Sequence, residues 1–371
     1  MSRIIISPDS FKGTITGEEA ARALRDGWSS VAPDDEILLL PQADGGEGTC
    51  DVIANAVPDA EWKSTAEPVT GPDGRPVPGR WIVLPSGEAV VELAIPSGLP
   101  LMKVKDPRGA QTRGLGQVLK AAVQAGASKL SIGLGGSAST DGGVGALREL
   151  GVHFLTSDGH EIGEGGRGLM ELASIDSSQM VAPPAGGVRL LCDVTSPLTG
   201  PTGSAAIFGP QKGATPTDVA YLDDALAHLA QVAGGEPDYP GTGAAGGTAY
   251  GLMVLWGASI VSGAQEVAKL TGLSEELSHA DMAITGEGSF DVSSLAGKAV
   301  ATIIDAAAQT HTPCAVVAGG FTPEGLAALD ARGIARVSLT ELAGHASRAM
   351  AEPAHFLAQA GAQLAGDFHA H

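Results

Sequence analysis

The stretch that most constrains this chain is KLSIGLGGSASTDGG, at residues 129–143. Its first half, Leu130 to Leu134, is a short apolar run without alternation. It then breaks into Gly135-Gly136-Ser137-Ala138-Ser139-Thr140-Asp141-Gly142-Gly143. An apolar run that stops in glycines and small hydroxyls predicts a buried strand feeding a tight turn and a helix start. Such a turn offers backbone N–H groups to an anion, and glycine lets a ligand come close to the backbone. One turn of this kind is equally well a plain strand-to-helix connection. Its recurrence gives it weight.

The same design recurs along the chain. Ile4 to Ser7 ends in PDSFKGT, Glu36 to Leu40 in PQADGGEGT, Met282 to Thr285 in GEGSFD and Cys314 to Ala318 in GGF, and Ile334 to Leu339 reads as a sixth strand. Helical patterns fall between them, from Thr16 to about Trp28 and over 49–56, 297–310 and 323–331. Apolar, non-alternating strands separated by helices predict an α/β fold with a Rossmann-like, doubly wound parallel sheet. In such sheets ligands bind outside the carboxyl ends of the strands. The five polar turns are therefore expected to converge. Residues 66–105 and 151–280 read differently, with a hairpin formed by Arg80–Leu84 and Ala89–Leu93 and long glycine-rich connections. The expected division is a Rossmann-like domain from 1–65, 106–150 and 281–371, and a second, inserted α/β domain from 66–105 and 151–280.

A length of 371 residues is too long for one ordinary core and fits two domains. The net charge of −20 argues against nucleic acid or an anionic membrane as partner, because binding a polyanion relies on Lys and Arg. Cys50, Cys192 and Cys314 are odd in number and far apart with no CxxC, as expected of reduced thiols in a cytoplasmic protein. No signal design opens the chain, and the longest apolar stretch, 249–264, is interrupted by Gly and Ser and reads as a buried helix.

There is no GxxxxGK[ST], no HExxH and no GxSxG. GLGGSA fits the loose GxGxxA dinucleotide pattern, but it follows the third expected strand instead of opening the first βαβ unit, which argues against NAD. GLGGSAS also resembles the phosphate loop of the galactokinase–homoserine kinase group, whose other motifs are absent. What remains is phosphoryl transfer from a nucleotide. That chemistry needs an anion cradle, a carboxylate for Mg²⁺, a cation on the moving phosphoryl group and a base for the acceptor hydroxyl. Lys12, Lys212 and Lys298 lie in glycine-rich turns of a chain with only 22 basic residues. Asp9, Asp44, Glu47, Asp141, Asp193, Glu287 and Asp291 are the carboxylates of these turns, and about half of such residues serve as caps or turn formers.

Taken together and in order, SPDSFKG, ADGGEGT, GLGGSASTDGG, CDVTSPLTGPTGSAAIFGPQKGA, GTGAAGG and TGEGSFD with AGK resemble the bacterial glycerate kinase family, over essentially the whole chain. The departures are Ser293-Ser294 after the TGEG aspartate, Gln117 where Glu is common, and AGGF in place of an AGS-type turn. The resemblance implies two α/β domains with the active site in the cleft between them, and ATP and Mg²⁺ as cofactors. It implies phosphorylation of D-glycerate, typically to 2-phosphoglycerate. A glycerate 3-kinase, another small-molecule kinase and a non-catalytic small-acid sensor stay open as alternatives, and so does a homodimer.

On that reading Asp193 is the expected base, with Lys212 or Lys298 neutralising the γ-phosphoryl group. Lys12 and Arg113, with Asp9 and Ser137, would bind glycerate. Gly135, Gly136 and Ser137, with Asp141, Gly286, Gly288 and Asp291, would hold nucleotide phosphates. Asp44, Glu47 or Glu287 would hold Mg²⁺, which takes one or two carboxylates plus waters and phosphates.

Overall fold

The computed structural model describes residues 1–11, 13–295 and 299–370. Lys12 and Lys298 thus lie outside the described residues. The chain forms two compact units, Met1–Asp44 with Ala264–His371, and Gly45–Gly263.

The first unit is built on a five-stranded, fully parallel sheet. Its strands run in the order Ala335–Ser338, Cys314–Phe321, Met282–Phe290, Arg3–Ile6, Glu36–Leu39. In chain order this is 2-1-3-4-5, a doubly wound arrangement whose direction reverses between Arg3–Ile6 and Met282–Phe290. Ile4, Ile5 and Ile6 are fully buried, because helices cover both faces of the sheet. The helix Gly17–Val31 starts at a capping box in which the Thr16 hydroxyl accepts from Glu19 N and the Glu19 carboxylate accepts from Thr16 N. Its buried face joins the helix Pro353–His369 through Leu24, Trp28, Phe356 and Leu357.

Two strands here are longer than their sequence suggests. Glycine was expected to end them at Thr285 and Ala318, but pairing continues through Glu287↔Ala318 and Ser289↔Gly320 to Phe290↔Phe321. The glycines suit this pairing, because a Cβ on Gly286 would lie 2.1 Å from Val317 O and one on Gly319 2.3 Å from Gly288 O. The TGEG segment is therefore strand and not a phosphate turn.

The second unit carries a six-stranded mixed sheet in the order Ser259–Val261, Val188–Leu191, Lys129–Gly133, Glu88–Glu92, Arg80–Val83, Glu61–Ser64. The first four strands are parallel, and the last two pairings are antiparallel. The expected hairpin is present, with Ile82 opposite Val90 and Val83 opposite Ala89. Leu130, Ile132, Leu190, Val91, Leu119, Phe154, Tyr250 and Trp256 share one core. The strand Lys129–Gly133 belongs to this sheet and not to the first, since Gly133 pairs with both Glu92 and Leu191. Residues 106–150 therefore fall in the second unit, as do 45–65, while 264–280 fall in the first. The expected apolar helix over 249–264 is a helix Thr248–Trp256 that ends at left-handed Gly257 and gives way to the strand Ser259–Val261. Among the described residues no helix is long and apolar enough to cross a membrane.

Candidate functional site

In the second unit, four parallel strands finish side by side at Val261, Leu191, Gly133 and Glu92. Their trailing loops make one polar surface, on the edge where parallel sheets bind ligands. Residues 45–48 lie directly on the glycine loop. Gly135 N donates to Gly45 O at 3.0 Å, so this N–H is already engaged. Gly136 is left-handed (φ 73°), a conformation that favours glycine, and a Cβ there would lie 2.7 Å from Glu47 Oε1. Ser137 is buried and bridges to Gly98, with its Oγ 3.4 Å from Ser139 O.

Asp141 is the organiser of the loop. Its Oδ2 accepts from Thr112 N, Thr112 Oγ1 and Gly145 N at 2.9, 2.7 and 3.2 Å, and its Oδ1 accepts from Gly143 N at 3.2 Å. These bonds tie together the starts of the helices Arg113–Gln124 and Val144–Glu149. Asp141 is thus a carboxylate bound by protein donors.

Lys212 is 2% exposed, and its Nζ donates to Ser139 O at 2.5 Å. Burial lowers its pKa from 10.5 to about 8, and the nearby Asp141 charge partly opposes the fall. The segment 241–247 closes over the same place. Gly142 N donates to Gly246 O and Gly243 N to Ser196 O. A Cβ on Gly246 would lie 2.0 Å from Ser139 O.

Asp193 is half-buried just past the strand Val188–Leu191, and its Oδ1 accepts from Gly263 N at 2.9 Å. Arg113 is spent on ion pairs. Its Nη2 lies 2.6 Å from Glu149 Oε1 and its Nη1 lies 3.6 Å from Glu164 Oε1, and the Glu149 contact raises its pKa. Gln117, on the same helix, accepts from Thr70 N at 2.7 Å, so this departure from the family pattern has a structural task.

In the first unit, Asp9 follows the strand at which the sheet reverses direction. Its N–H extends the ladder to Gly286 O at 2.9 Å, and its Oδ1 accepts from Ser10 N. Gly286, Glu287 and Gly288 are strand residues. Asp291 caps the next turn, with its Oδ1 accepting from Ser293 N and Ser294 N while Ser294 Oγ accepts from Asp291 N. Asp44 is half-buried at the end of a segment of this unit.

Mg²⁺ asks for hard oxygen donors, usually one or two carboxylates with waters and phosphates. Glu47, exposed beside Gly136, is such a donor. Among the described residues no three His, Cys, Asp or Glu side chains gather as a metal-holding group. Sequence reasoning missed Glu92, Thr112 and the closing role of 241–247. The strand-end position of Glu92 in VVELA was the available signal.

The family model for the glycerate kinase family matches residues 4–369. The chain is 38% identical to the glycerate 2-kinase of Escherichia coli K12, over 87% of this chain and 86% of that one. It is 39% identical to a glycerate kinase of Bacillus subtilis 168, over 86% and 85%. A crystal structure of a protein described as a glycerate kinase 2 from Salmonella typhimurium LT2 superposes with a TM-score of 0.83 at 33% identity, covering 100% of this chain and 98% of that one. The chain therefore belongs to the glycerate kinase family and is an ATP-dependent kinase with an alcohol group as acceptor.

Proposed function

We propose that the protein transfers the γ-phosphoryl group of ATP to the 2-hydroxyl of D-glycerate, giving 2-phosphoglycerate and ADP. The observation that carries this reading is the buried Lys212 ammonium, with one carbonyl acceptor, behind the glycine loop. A buried cation is costly unless paired, and a phosphate group would supply the missing partner. The name glycerate 2-kinase of the Escherichia coli relative supports the choice of hydroxyl.

Asp193 takes the hydroxyl proton as O2 bonds to Pγ and the bridging oxygen leaves with ADP. Its hydrogen bond from Gly263 N holds the carboxylate in place. Lys212 stabilises charge on the moving phosphoryl group. Gly136 and Ser137 cradle phosphate oxygens. Mg²⁺ would supply charge neutralisation at the phosphates, and Glu47, exposed beside the glycine turn, would hold it.

The test is ADP release with D-glycerate, L-glycerate, homoserine and galactose as acceptors. Turnover with D-glycerate well above the others is expected. ADP release that no acceptor stimulates would remove the proposal and leave a small-acid sensor.

A further inference from the structure

The helix Thr49–Ala56 begins without a cap of its own. Its N-cap is Gly48, left-handed and lacking a side chain, although the first turn of any helix has N–H groups with no partner inside the helix. The acceptor comes from a distant strand. Glu92 Oε1 accepts from Gly48 N at 3.0 Å and Glu92 Oε2 from Cys50 N at 3.1 Å. Glu92 is the last residue of the strand Glu88–Glu92 and is 4% exposed. The same strand holds the helix a second time, through Cys50 Sγ to Val90 O at 3.6 Å.

This is an unusual place for a carboxylate. Burial raises the pKa of Glu92, and the negative charges of Asp51 and Glu47 add to that, while only the two N–H bonds oppose it. A neutral cap from Ser or Asn, local to the helix, would hold it at less electrostatic cost. What Glu92 does that a local cap cannot is tie the 45–48 loop to the strand whose neighbour, through Glu92↔Gly133, leads into the glycine loop. Glu47 stands between the two anchored residues and the glycine turn, with its Oε1 against Gly136.

We propose that Glu92 is a positioning residue of the site, a cap supplied in trans that fixes Glu47 against Gly136 and thereby sets the affinity for the metal–nucleotide. The proposal rests on the kinase reading above. It acts through Gly48 and Cys50 and requires no contact between Glu92 and ligand.

The test uses the full chain and Glu92→Gln, which replaces one acceptor oxygen by an NH2 group that cannot accept from an N–H. Three quantities are read: amide hydrogen exchange of residues 48 and 50, Mg-ADP affinity by titration calorimetry, and the separate KM values for Mg-ATP and glycerate. Exchange at 48 and 50 is expected to quicken by about tenfold or more. Mg-ADP affinity and the Mg-ATP KM are expected to worsen by about tenfold, with the glycerate KM within about twofold of wild type. Unchanged exchange overturns the anchor. Faster exchange with unaltered Mg-ADP affinity makes Glu92 a helix cap only, and an equal loss for glycerate makes its effect a general loosening; both overturn the proposal. If Glu92→Gln does not fold, Glu92→Asp, which keeps the charge but loses one methylene of reach, is read against the same outcomes. A wild-type protein that binds Mg-ADP but leaves glycerate untouched would sink the kinase reading alone, with exchange and calorimetry still judging the anchor.

Discussion

In the proposed reaction Lys212 and Asp193 carry the chemistry. Replacing Lys212 by Met removes a buried charge aimed at the site. Turnover should fall by about 10²–10³-fold, as for loss of one preorganised electrostatic stabiliser. The fall in the Lys212 pKa from 10.5 to about 8 makes the charged form costly in the folded protein. Between those values the unfolded chain holds the proton more often than the folded one, so this group makes stability rise with pH from about 8 to 10.5. The rise corresponds to roughly 3 kcal/mol at most and should vanish in Lys212→Met, as urea unfolding at several pH values would show. The kcat/KM for Mg-ATP, which reports the ionisation of the free enzyme, should fall across the same range as the ammonium discharges. Asp193→Asn should leave folding intact and cut turnover by about 10²-fold or more; near-normal turnover would remove Asp193 as the base. Both residues were visible in the sequence, Lys212 as a lysine in a glycine-rich turn and Asp193 as an aspartate just past an apolar strand. Asp141 was visible too, but its role was not, because only the fold brings Thr112 within reach of its carboxylate. Glu92 showed only as a strand-end carboxylate; its capping role was hidden because a cap 44 residues away leaves no local pattern.

At the scale of elements, the loops of the second unit hold one another by backbone contacts that leave no room for side chains. Gly246→Ala should destabilise the protein by about 1–3 kcal/mol or force the 241–247 segment off Ser139, since the new methyl group meets a carbonyl and the residue is left-handed. Asp141→Ala strands three backbone N–H groups and a hydroxyl and should cost about 3 kcal/mol or more in chemical unfolding, before any effect on turnover is counted. Most strands were legible as apolar runs, and so was the hairpin. The ends of Met282–Phe290 and Cys314–Phe321 were not. Glycine usually punctuates a strand, but here it lets two strands approach closely, and a sequence shows both uses with the same letter.

For the whole molecule, the α/β class and two-part organisation followed from alternation and length, but the assignment of segments to units did not. An apolar run such as Leu130 to Leu134 states that a strand is buried on both faces, not which sheet buries it. That choice is made by the pairing of Gly133 with Glu92 and Leu191. The resulting second unit is continuous in the chain and owns its core, so residues 45–263 expressed alone should unfold cooperatively; a broad, non-cooperative transition would contradict its independence. The first unit, assembled from both ends of the chain, has the 2-1-3-4-5 order and places Asp9 beside the reversal point where such sheets take ligands. ³¹P NMR of the full chain incubated with D-glycerate and Mg-ATP tests the proposed reaction most directly. Transfer to the 2-hydroxyl predicts loss of the ATP γ resonance, growth of ADP and a new phosphomonoester signal matching 2-phosphoglycerate. A signal matching 3-phosphoglycerate would contradict the choice of hydroxyl, and an ATP spectrum unchanged by glycerate would contradict glycerate as the acceptor.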